Sequence, residues 1–385
     1  MKSITLLIKP ASSLCNLRCR YCFYADIAGQ RTVPSYGIMT MDTAERLIAS
    51  AFQAVGNSGQ IQFTFQGGEP TLAGLPFFQR FVELAQAHSQ PGVEIHWSIQ
   101  TNGMVLDDTW AAFFRDHNFL VGLSADGTRE VHDACRVDPE GNGTWQTVAA
   151  AAALLKQYDV SFNLLCVVTK QCARRAQKVY HALQKLGSGY IQFIPCLDAL
   201  EEQRGSASYS LTPEAYGSFL CTLLDAWYLD WKGGRYTSVR LFDDYIQLLM
   251  GLPPGTCATS GQCGSYLVVE SDGSLYPCDF YVLDRWRLGD IRTCTLEEAA
   301  ASGLAQDFLA EGRRRPQTCL ACRWYPICRG GCKRDWQQHG GQTEHYYCTS
   351  FQRFFSYAAP RLEEIARAEL LARRSRKTKP RPAKG

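Results

Sequence analysis

The sequence predicts an α/β fold, a partial (β/α)6 TIM-like barrel, followed by a separate cysteine-rich section. Three observations predict it. Apolar, strand-like stretches alternate with helix-period segments through the first half, polar turns with unusual residues follow those strands, and past Pro195 the alternation stops and cysteines become dense. Six strands with intervening helices require parallel pairing, and right-handed crossovers curl such a sheet toward a barrel. A dinucleotide-binding topology is the structural alternative. No G-x-G-x-x-G follows the first strand, however, which counts against a nicotinamide enzyme.

The strand-like stretches are Ile4–Ile8, Ile61–Phe65, Val93–Ile99, Phe119–Leu123, Val160–Val168 and Tyr190–Ile194. Between them, helical periodicity covers Asp42–Val55, Pro76–His88, Thr109–His117, Thr144–Gln157 and Cys172–Leu186. The turns carry Cys15 to Cys22, Gly67-Gly68-Glu69-Pro70, Thr101-Asn102-Gly103 and Ser124-Ala125-Asp126-Gly127. Ligand sites of parallel barrels gather at the carboxyl ends of the strands, where these residues fall. Two longer helices follow, near Pro213–Leu229 and Val239–Met250, then the section from Cys257 to Cys348, and a last helix over Phe351–Leu371. The expected divisions are 1–197, 198–256, 257–350 and 351–385.

With 385 residues, 46% of them hydrophobic, the chain can bury a sizeable core. The net charge of +3 conceals a basic tail: Arg373 to Lys384 carry seven Lys/Arg and no acid, so +3 less seven leaves −4 elsewhere. A mildly acidic body argues against nucleic acid as partner, and the tail reads as a solvated end. The apolar run at Ile4–Ile8 is too short for a signal peptide and Lys9 breaks it; no stretch approaches a membrane span. A cytoplasmic protein with seventeen cysteines points to metal ligation plus a few packing thiols.

Cys15, Cys19 and Cys22 form C-x3-C-x2-C on one short loop. Three thiolates can hold three irons of a [4Fe–4S] cube and leave the fourth open for a reacting ligand, whereas zinc would want a fourth ligand and none is adjacent. Here the chain resembles the radical S-adenosylmethionine superfamily, whose signature is this motif after the first barrel strand. The resemblance implies that S-adenosylmethionine chelates the open iron and is cleaved by one electron to a 5′-deoxyadenosyl radical. Gln66-Gly67-Gly68-Glu69-Pro70 resembles the family's methionine-binding turn. Gly67 and Gly68 would let the backbone approach the ligand closely, and Glu69 offers a counter-charge to its ammonium. Ser124 and Asp126 suit ribose hydroxyls, and Arg136 suits the methionine carboxylate. Tyr21 and Leu197 are implied as cofactor contacts by the resemblance alone.

Downstream, Cys263, Cys278, Cys319, Cys322, Cys328, Cys332 and Cys348 resemble the SPASM extension of radical enzymes that modify peptides and proteins. With Cys257 they number eight, enough for two further [4Fe–4S] clusters, three in all. Spacing alone leaves their partition open. The family arrangement implies Cys257, Cys263, Cys278 and Cys332 in one site, and Cys319, Cys322, Cys328 and Cys348 in the other. Cys135, Cys166, Cys172, Cys196, Cys221 and Cys294 read as structural, and His345 as a satisfied surface histidine.

Within this group the chain most resembles the anaerobic sulfatase-maturating enzymes. The marks are Ile8-Lys9-Pro10-Ala11-Ser12-Ser13, Cys22-Phe23-Tyr24, Phe65 to Gly74, and Tyr276-Pro277-Cys278-Asp279-Phe280-Tyr281. The resemblance implies that a serine or cysteine of an unfolded sulfatase polypeptide becomes Cα-formylglycine, with a reduced flavodoxin- or ferredoxin-like donor as second partner. Such an oxidation needs a base for the hydroxyl or thiol proton and an exit for one electron, most simply an iron–sulfur cluster. Asp279, beside cluster ligand Cys278, is the expected proton acceptor; Tyr24 and Gln66 are expected to orient the peptide or that base. Another SPASM maturase, forming thioether or carbon–carbon crosslinks, would share every cluster. Many of those carry a peptide-binding module ahead of the first cysteine loop, where this sequence has fourteen residues. A non-enzymatic electron carrier would explain the cysteines but not Gly67-Gly68-Glu69-Pro70.

Overall fold

The structure is a computed structural model that describes residues 1–264, 266–339 and 341–378. Strands β1 (Ser3–Ile8), β2 (Gly59–Phe65), β3 (Val93–Thr101), β4 (Leu120–Ser124), β5 (Phe162–Val168) and β6 (Tyr190–Pro195) lie side by side in chain order, each parallel to the next. A sheet that grows in one direction by right-handed crossovers puts its helices on one face and curls around the other. The wall stays open because the outer edge of β6 pairs with β7 (Ser238–Val239) and that of β1 with β8 (Leu267–Val269), not with each other.

The helices of this half are α1 (Phe23–Gly29), α2 (Met41–Val55), α3 (Leu75–Ala87), α4 (Asp108–Asp116), α5 (Arg129–Asp133), α6 (Trp145–Gln157), α7 (Lys170–Ala173) and α8 (Ala176–Leu186). Polar caps start several of them: Thr40 accepts from the Thr43 N–H, and Asp107 from that of Trp110. The expected helix over Cys172–Leu186 is two pieces. Thr169 caps α7 early, and the chain leaves helical geometry at Arg175 before α8 begins. Alternate residues Ile61, Phe63 and Phe65 of β2 are wholly buried, and the rings of Phe63 and Phe65 meet Phe78, Phe81 and Trp97 at centroid distances of 5.0–5.3 Å. Aromatic pairs at this spacing add to the burial of their area.

The second half is less separate than the sequence suggests. After α9 (Pro213–Lys232), α10 (Arg240–Leu249) and α11 (Cys257–Ser260), β8 joins the barrel edge in parallel with β1. Strands β9 (Ser274–Tyr276) and β10 (Gly289–Asp290) continue outward antiparallel, so ten strands form one sheet across the expected boundary at residue 257. Helices α12 (Leu296–Ala301), α13 (Gly303–Arg313) and α14 (Tyr325–Cys328) and a hairpin of β11 (Trp336–His339) with β12 (Gln342–His345) complete this section. Its Leu267, Leu275 and Leu296 sit in the same apolar core as the barrel. The final α15 (Cys348–Thr378) packs on α9 and α10 and runs past the expected end at Leu371, because Arg and Lys are good helix formers. The remainder of the basic tail, from 379, lies outside the described residues. No described helix is long and apolar enough to cross a membrane.

Candidate active site and cluster cavities

The three-thiol loop leaves β1 and is stitched to two neighbours by its backbone. On one side Gly68 donates to the Ser12 carbonyl at 2.9 Å and Glu69 to that of Leu14 at 2.7 Å. On the other, Arg18 donates to Val137 at 2.7 Å and Arg20 to Cys135 at 3.0 Å. This explains the paired glycines differently from the expectation. A Cβ at Gly68 would stand 2.0 Å from the Leu14 carbonyl oxygen, and one at Gly67 would stand 2.9 Å from that of Ser12. Gly67 also has φ of +139°. The close approach they permit is to the chain's own cysteine loop. Burial pushes the Cys15 thiol up to about 11 and Cys19 to about 12, the latter opposed by the Arg136 charge, while Cys22 is exposed.

Glu69 is buried, and all its visible partners are donors. Oε1 accepts from the Thr71 N–H (3.1 Å), the Thr71 hydroxyl (2.6 Å) and the Thr101 hydroxyl (2.7 Å); Oε2 accepts from the Asn102 N–H at 2.8 Å. Burial raises its pKa and these bonds oppose the rise. Oε2 keeps acceptor capacity for a cationic group.

Asp126 was expected at a ribose, but its carboxylate is taken up inside the protein. It receives the Tyr21 hydroxyl, Arg136 Nε at 3.0 Å and Nη2 at 3.4 Å, and the Val167 N–H at 2.9 Å. Asp126 therefore positions Arg136 and Tyr21, and Arg136 keeps Nη1 for another anion. Ser124 lies buried at the carboxyl end of β4. Leu197 lines a cavity of about 230 Å³ that also receives Cys257, Cys328 and Cys332, so it faces the cysteine-rich section.

Asp279 lies on the opposite side of the mouth, in the turn after β9, with 4% of its surface exposed. Lys9, fully buried at the end of β1, forms an ion pair with Oδ1, and Gln66 Nε2 donates to Oδ2 at 3.2 Å. Tyr24 is not bonded to this carboxylate. Its hydroxyl donates to Glu270 Oε2 at 2.6 Å, an oxygen that also accepts from Arg31 Nη1 at 2.6 Å. Its ring instead lies under the Lys9 ammonium, 3.7 Å from the centroid. Lys9, Arg31 and Glu270 were absent from the sequence-derived site. Only Lys9 carried a signal, as a charge closing an apolar strand.

The eight downstream thiols fall into two groups. Cys332 feels the charges of Cys278 and Cys257, and Cys263 that of Cys257. Separately, Cys328 feels Cys319, Cys348 and Cys322, and these four line one cavity. Burial pushes Cys278 and Cys328 up to about 12 and Cys332 well above the usual thiol range. Of the eight, Cys319 is buried and the others are half-buried. Neighbouring thiols that feel one another's charge can all stay deprotonated only around a shared cation, so each quartet offers the four ligands of an iron–sulfur cluster. Cβ atoms have little room here: one at Gly312 would stand 2.7 Å from Cys263 Sγ. His345 is not on the surface. It is buried, its Nδ1 accepts from the Tyr347 N–H at 3.0 Å, and burial lowers its pKa. Of the other six cysteines, Cys135, Cys166, Cys172 and Cys196 are buried and Cys221 and Cys294 half-buried.

Comparison with known proteins agrees with this arrangement. A family model described as the radical SAM superfamily matches residues 10–180, and one described as an iron-sulfur cluster-binding domain, SPASM, matches residues 257–323. The chain is 43% identical to the cysteine-type anaerobic sulfatase-maturating enzyme of Clostridium perfringens strain 13, over 95% of this chain and 99% of that protein. It is 35% identical to the serine-type anaerobic sulfatase-maturating enzyme of Klebsiella pneumoniae, over 91% and 86%. The solved structure of native anSMEcpe with bound AdoMet and Cp18Cys peptide superimposes with a TM-score of 0.90 at 42% identity, covering 95% of this chain and 99% of that one.

Proposed function

Because the chain belongs to the anaerobic sulfatase-maturating enzymes of the radical SAM superfamily, we propose that it oxidises the Cβ of a cysteine in an unfolded sulfatase polypeptide to formylglycine, with Asp279 as proton acceptor. The carrying observation is Asp279 itself, a buried carboxylate beside quartet ligand Cys278, aimed by Lys9 and Gln66. Cysteine is preferred over serine as substrate because the cysteine-type relative is the more similar and matches over nearly its whole length.

Bound at Cys15, Cys19 and Cys22, a [4Fe–4S] cluster with S-adenosylmethionine supplies the one-electron cleavage that removes a hydrogen atom from Cβ. The chain's own residues do the rest. Glu69 receives the methionine ammonium on Oε2, and Arg136, braced by Asp126, presents Nη1 to the carboxylate. Gly67 and Gly68 hold this turn against the cysteine loop, Tyr21 braces Asp126, and Ser124 closes the wall around the nucleoside. Asp279 takes the thiol proton, and Lys9 and Gln66 fix the carboxylate in position; the second electron would leave to a cluster held by the downstream cysteines, and water would then replace the sulfur, released as hydrogen sulfide. Cys257, Cys263, Cys278 and Cys332 hold a second cluster; Cys319, Cys322, Cys328 and Cys348 hold a third. A reduced flavodoxin- or ferredoxin-like carrier is the electron partner. The cytoplasm, where thiols stay reduced, is where the enzyme meets its substrate.

Asp279→Asn tests this reading with a cysteine peptide deuterated at Cβ. The variant continues to form 5′-deoxyadenosine carrying deuterium, while formylglycine falls by about 10²–10⁴-fold, the usual contribution of a general base. Near wild-type formylglycine yield would remove Asp279 from the mechanism.

A further inference from the structure

From Arg313 to Arg334 the chain carries seven Arg/Lys and no acidic residue, in a body that is otherwise mildly acidic. This run wraps the quartet Cys319, Cys322, Cys328 and Cys348. Arg315 lies over the Tyr325 ring at 4.5 Å and Arg323 over Trp324 at 4.4 Å, and both rings wall the quartet's cavity. Arg313, Arg314, Arg315 and Arg323 are exposed, and among the described residues none of them has a carboxylate partner. Single exposed arginines without a carboxylate partner occur elsewhere, at Arg20, Arg174 and Arg285, but among the described residues only here do four stand together. Arg136 and Arg31 are paired, and Arg18 beside the first loop donates to the Cys15 and Leu17 carbonyls. At the centre of the collar, between Cys319 and Cys322, Leu320 is 65% exposed. An apolar centre within a charged rim is the anatomy of a protein–protein contact.

The chemistry of the enclosed site narrows the partner. A cluster held by four cysteines has no open position for substrate, so what it can exchange is electrons. Free guanidiniums around it steer and orient an acidic surface. We propose that the arginine collar around Cys319, Cys322, Cys328 and Cys348 is the docking face for a small acidic one-electron carrier protein. This rests on the reading that the enzyme exchanges electrons with such a carrier, and adds where that carrier sits.

The test is calorimetric titration of the cluster-loaded enzyme with an acidic [2Fe–2S] ferredoxin, read as affinity and not as turnover. Wild type binds, and binding weakens as salt rises, since exposed charges are screened beyond about 8 Å at physiological ionic strength. R313E/R314E/R315E weakens binding about tenfold or more and flattens the salt dependence, as loss of rim charges does. The neutral R313Q/R314Q/R315Q introduces no new repulsion, and iron content in both variants verifies that the quartet is intact. It weakens binding in the same direction. R174E/K178E, at two exposed positions after α7 and on α8, leaves affinity unchanged. Collar variants that bind like wild type overturn the docking face while leaving the carrier reading in place. No binding by wild type overturns both. Tighter, collar-dependent binding of a single-stranded DNA than of ferredoxin overturns the assignment of partner.

Discussion

At one side of the barrel mouth the buried ion pair joins residues ten positions apart, Asp126 and Arg136; at the other it joins Lys9 and Asp279, 270 positions apart. The first closes within one loop, as soon as β4 and the turn behind it exist. The second exists only after the cysteine-rich section has laid β8 against β1. Its neighbour Arg31–Glu270 spans 239 positions and crosses the same seam. Both sides bury charge, and neither pair is a cheap source of stability: desolvation offsets much of the attraction, and what the geometry secures is orientation. The cofactor side is thus a property of the barrel alone. The substrate side is assembled from both halves, so on the roles proposed above a chain whose second half is misplaced would keep the cofactor contacts but lose the proposed base, Asp279.

The largest effect expected is the one that separates the sides outright. Cys15→Ala/Cys19→Ala/Cys22→Ala removes one of three clusters, so anaerobically loaded protein falls from about twelve irons to about eight, and cofactor cleavage is lost. The fold and the Lys9–Asp279 pair remain, because the loop's neighbours are held by backbone hydrogen bonds and not by the thiols. Iron analysis and a circular dichroism melt check this. Unfolding of the substrate side with the first cluster would mean that the two sides are one unit.

The same contrast explains what could be read from the sequence. The cofactor side was legible since its parts are short strings, C-x3-C-x2-C and Gly67-Gly68-Glu69-Pro70, placed after apolar strands. All six barrel strands were legible for a similar reason, as their apolar stretches are bounded by polar turns. What escaped reading were partnerships over long distances. Glu270 and Arg31 look like ordinary polar residues, and nothing local shows that both are buried and meet. The two-residue and three-residue strands β7, β8, β9 and β10 are too short for a period-2 pattern to register. His345 was misjudged because its burial depends on packing against Gly331 and Phe351, which meet it only once the hairpin and α15 have folded.

Next in size are the ion pairs themselves. Lys9→Met leaves Asp279 buried without a counter-charge, and Arg136→Met does the same to Asp126; each costs about 3–5 kcal/mol, the usual penalty for breaking a buried pair. The location of the damage differs. In Lys9→Met, hydrogen exchange accelerates along the β1–β8 seam, where the Lys9 N–H donates to the Val269 carbonyl, and S-adenosylmethionine affinity holds. In Arg136→Met, exchange accelerates around residues 124–137 and S-adenosylmethionine affinity falls about tenfold or more, as expected for a lost charge-assisted bond of about 1.5–3 kcal/mol. The same amides loosening in both variants would dissolve the distinction between a local and a long-range pair.

The smallest effect concerns pH, and it too falls on one side. His132 is fully buried behind the Asp126–Arg136 pair. Its Nδ1 accepts from the Asp126 N–H at 3.2 Å, and Nε2 faces the Thr144 hydroxyl at 3.0 Å, which in turn donates to the Arg136 carbonyl at 3.0 Å. Burial is the main cause that holds its pKa down at about 4; Asp126 and Asp133 pull upward and Arg136 pushes downward. An unfolded histidine titrates near 6.5, so below that pH the unfolded chain takes up a proton that the folded chain refuses. Stability is therefore whole above about 6.5 and falls as pH drops toward 4, by about 2 kcal/mol between pH 7 and pH 5. The Lys9, Asp279, Gln66, Tyr24, Arg31 and Glu270 group contains no histidine. Urea unfolding at pH 7 and pH 5, compared between wild type and His132→Gln, isolates the contribution: the variant loses this part of the slope, since glutamine takes up no proton. A carbon-13 signal from the His132 ring gives the same answer directly by staying neutral through pH 5, whereas protonation near pH 6.5 would show that the imidazole is not held by the Asp126 loop at all.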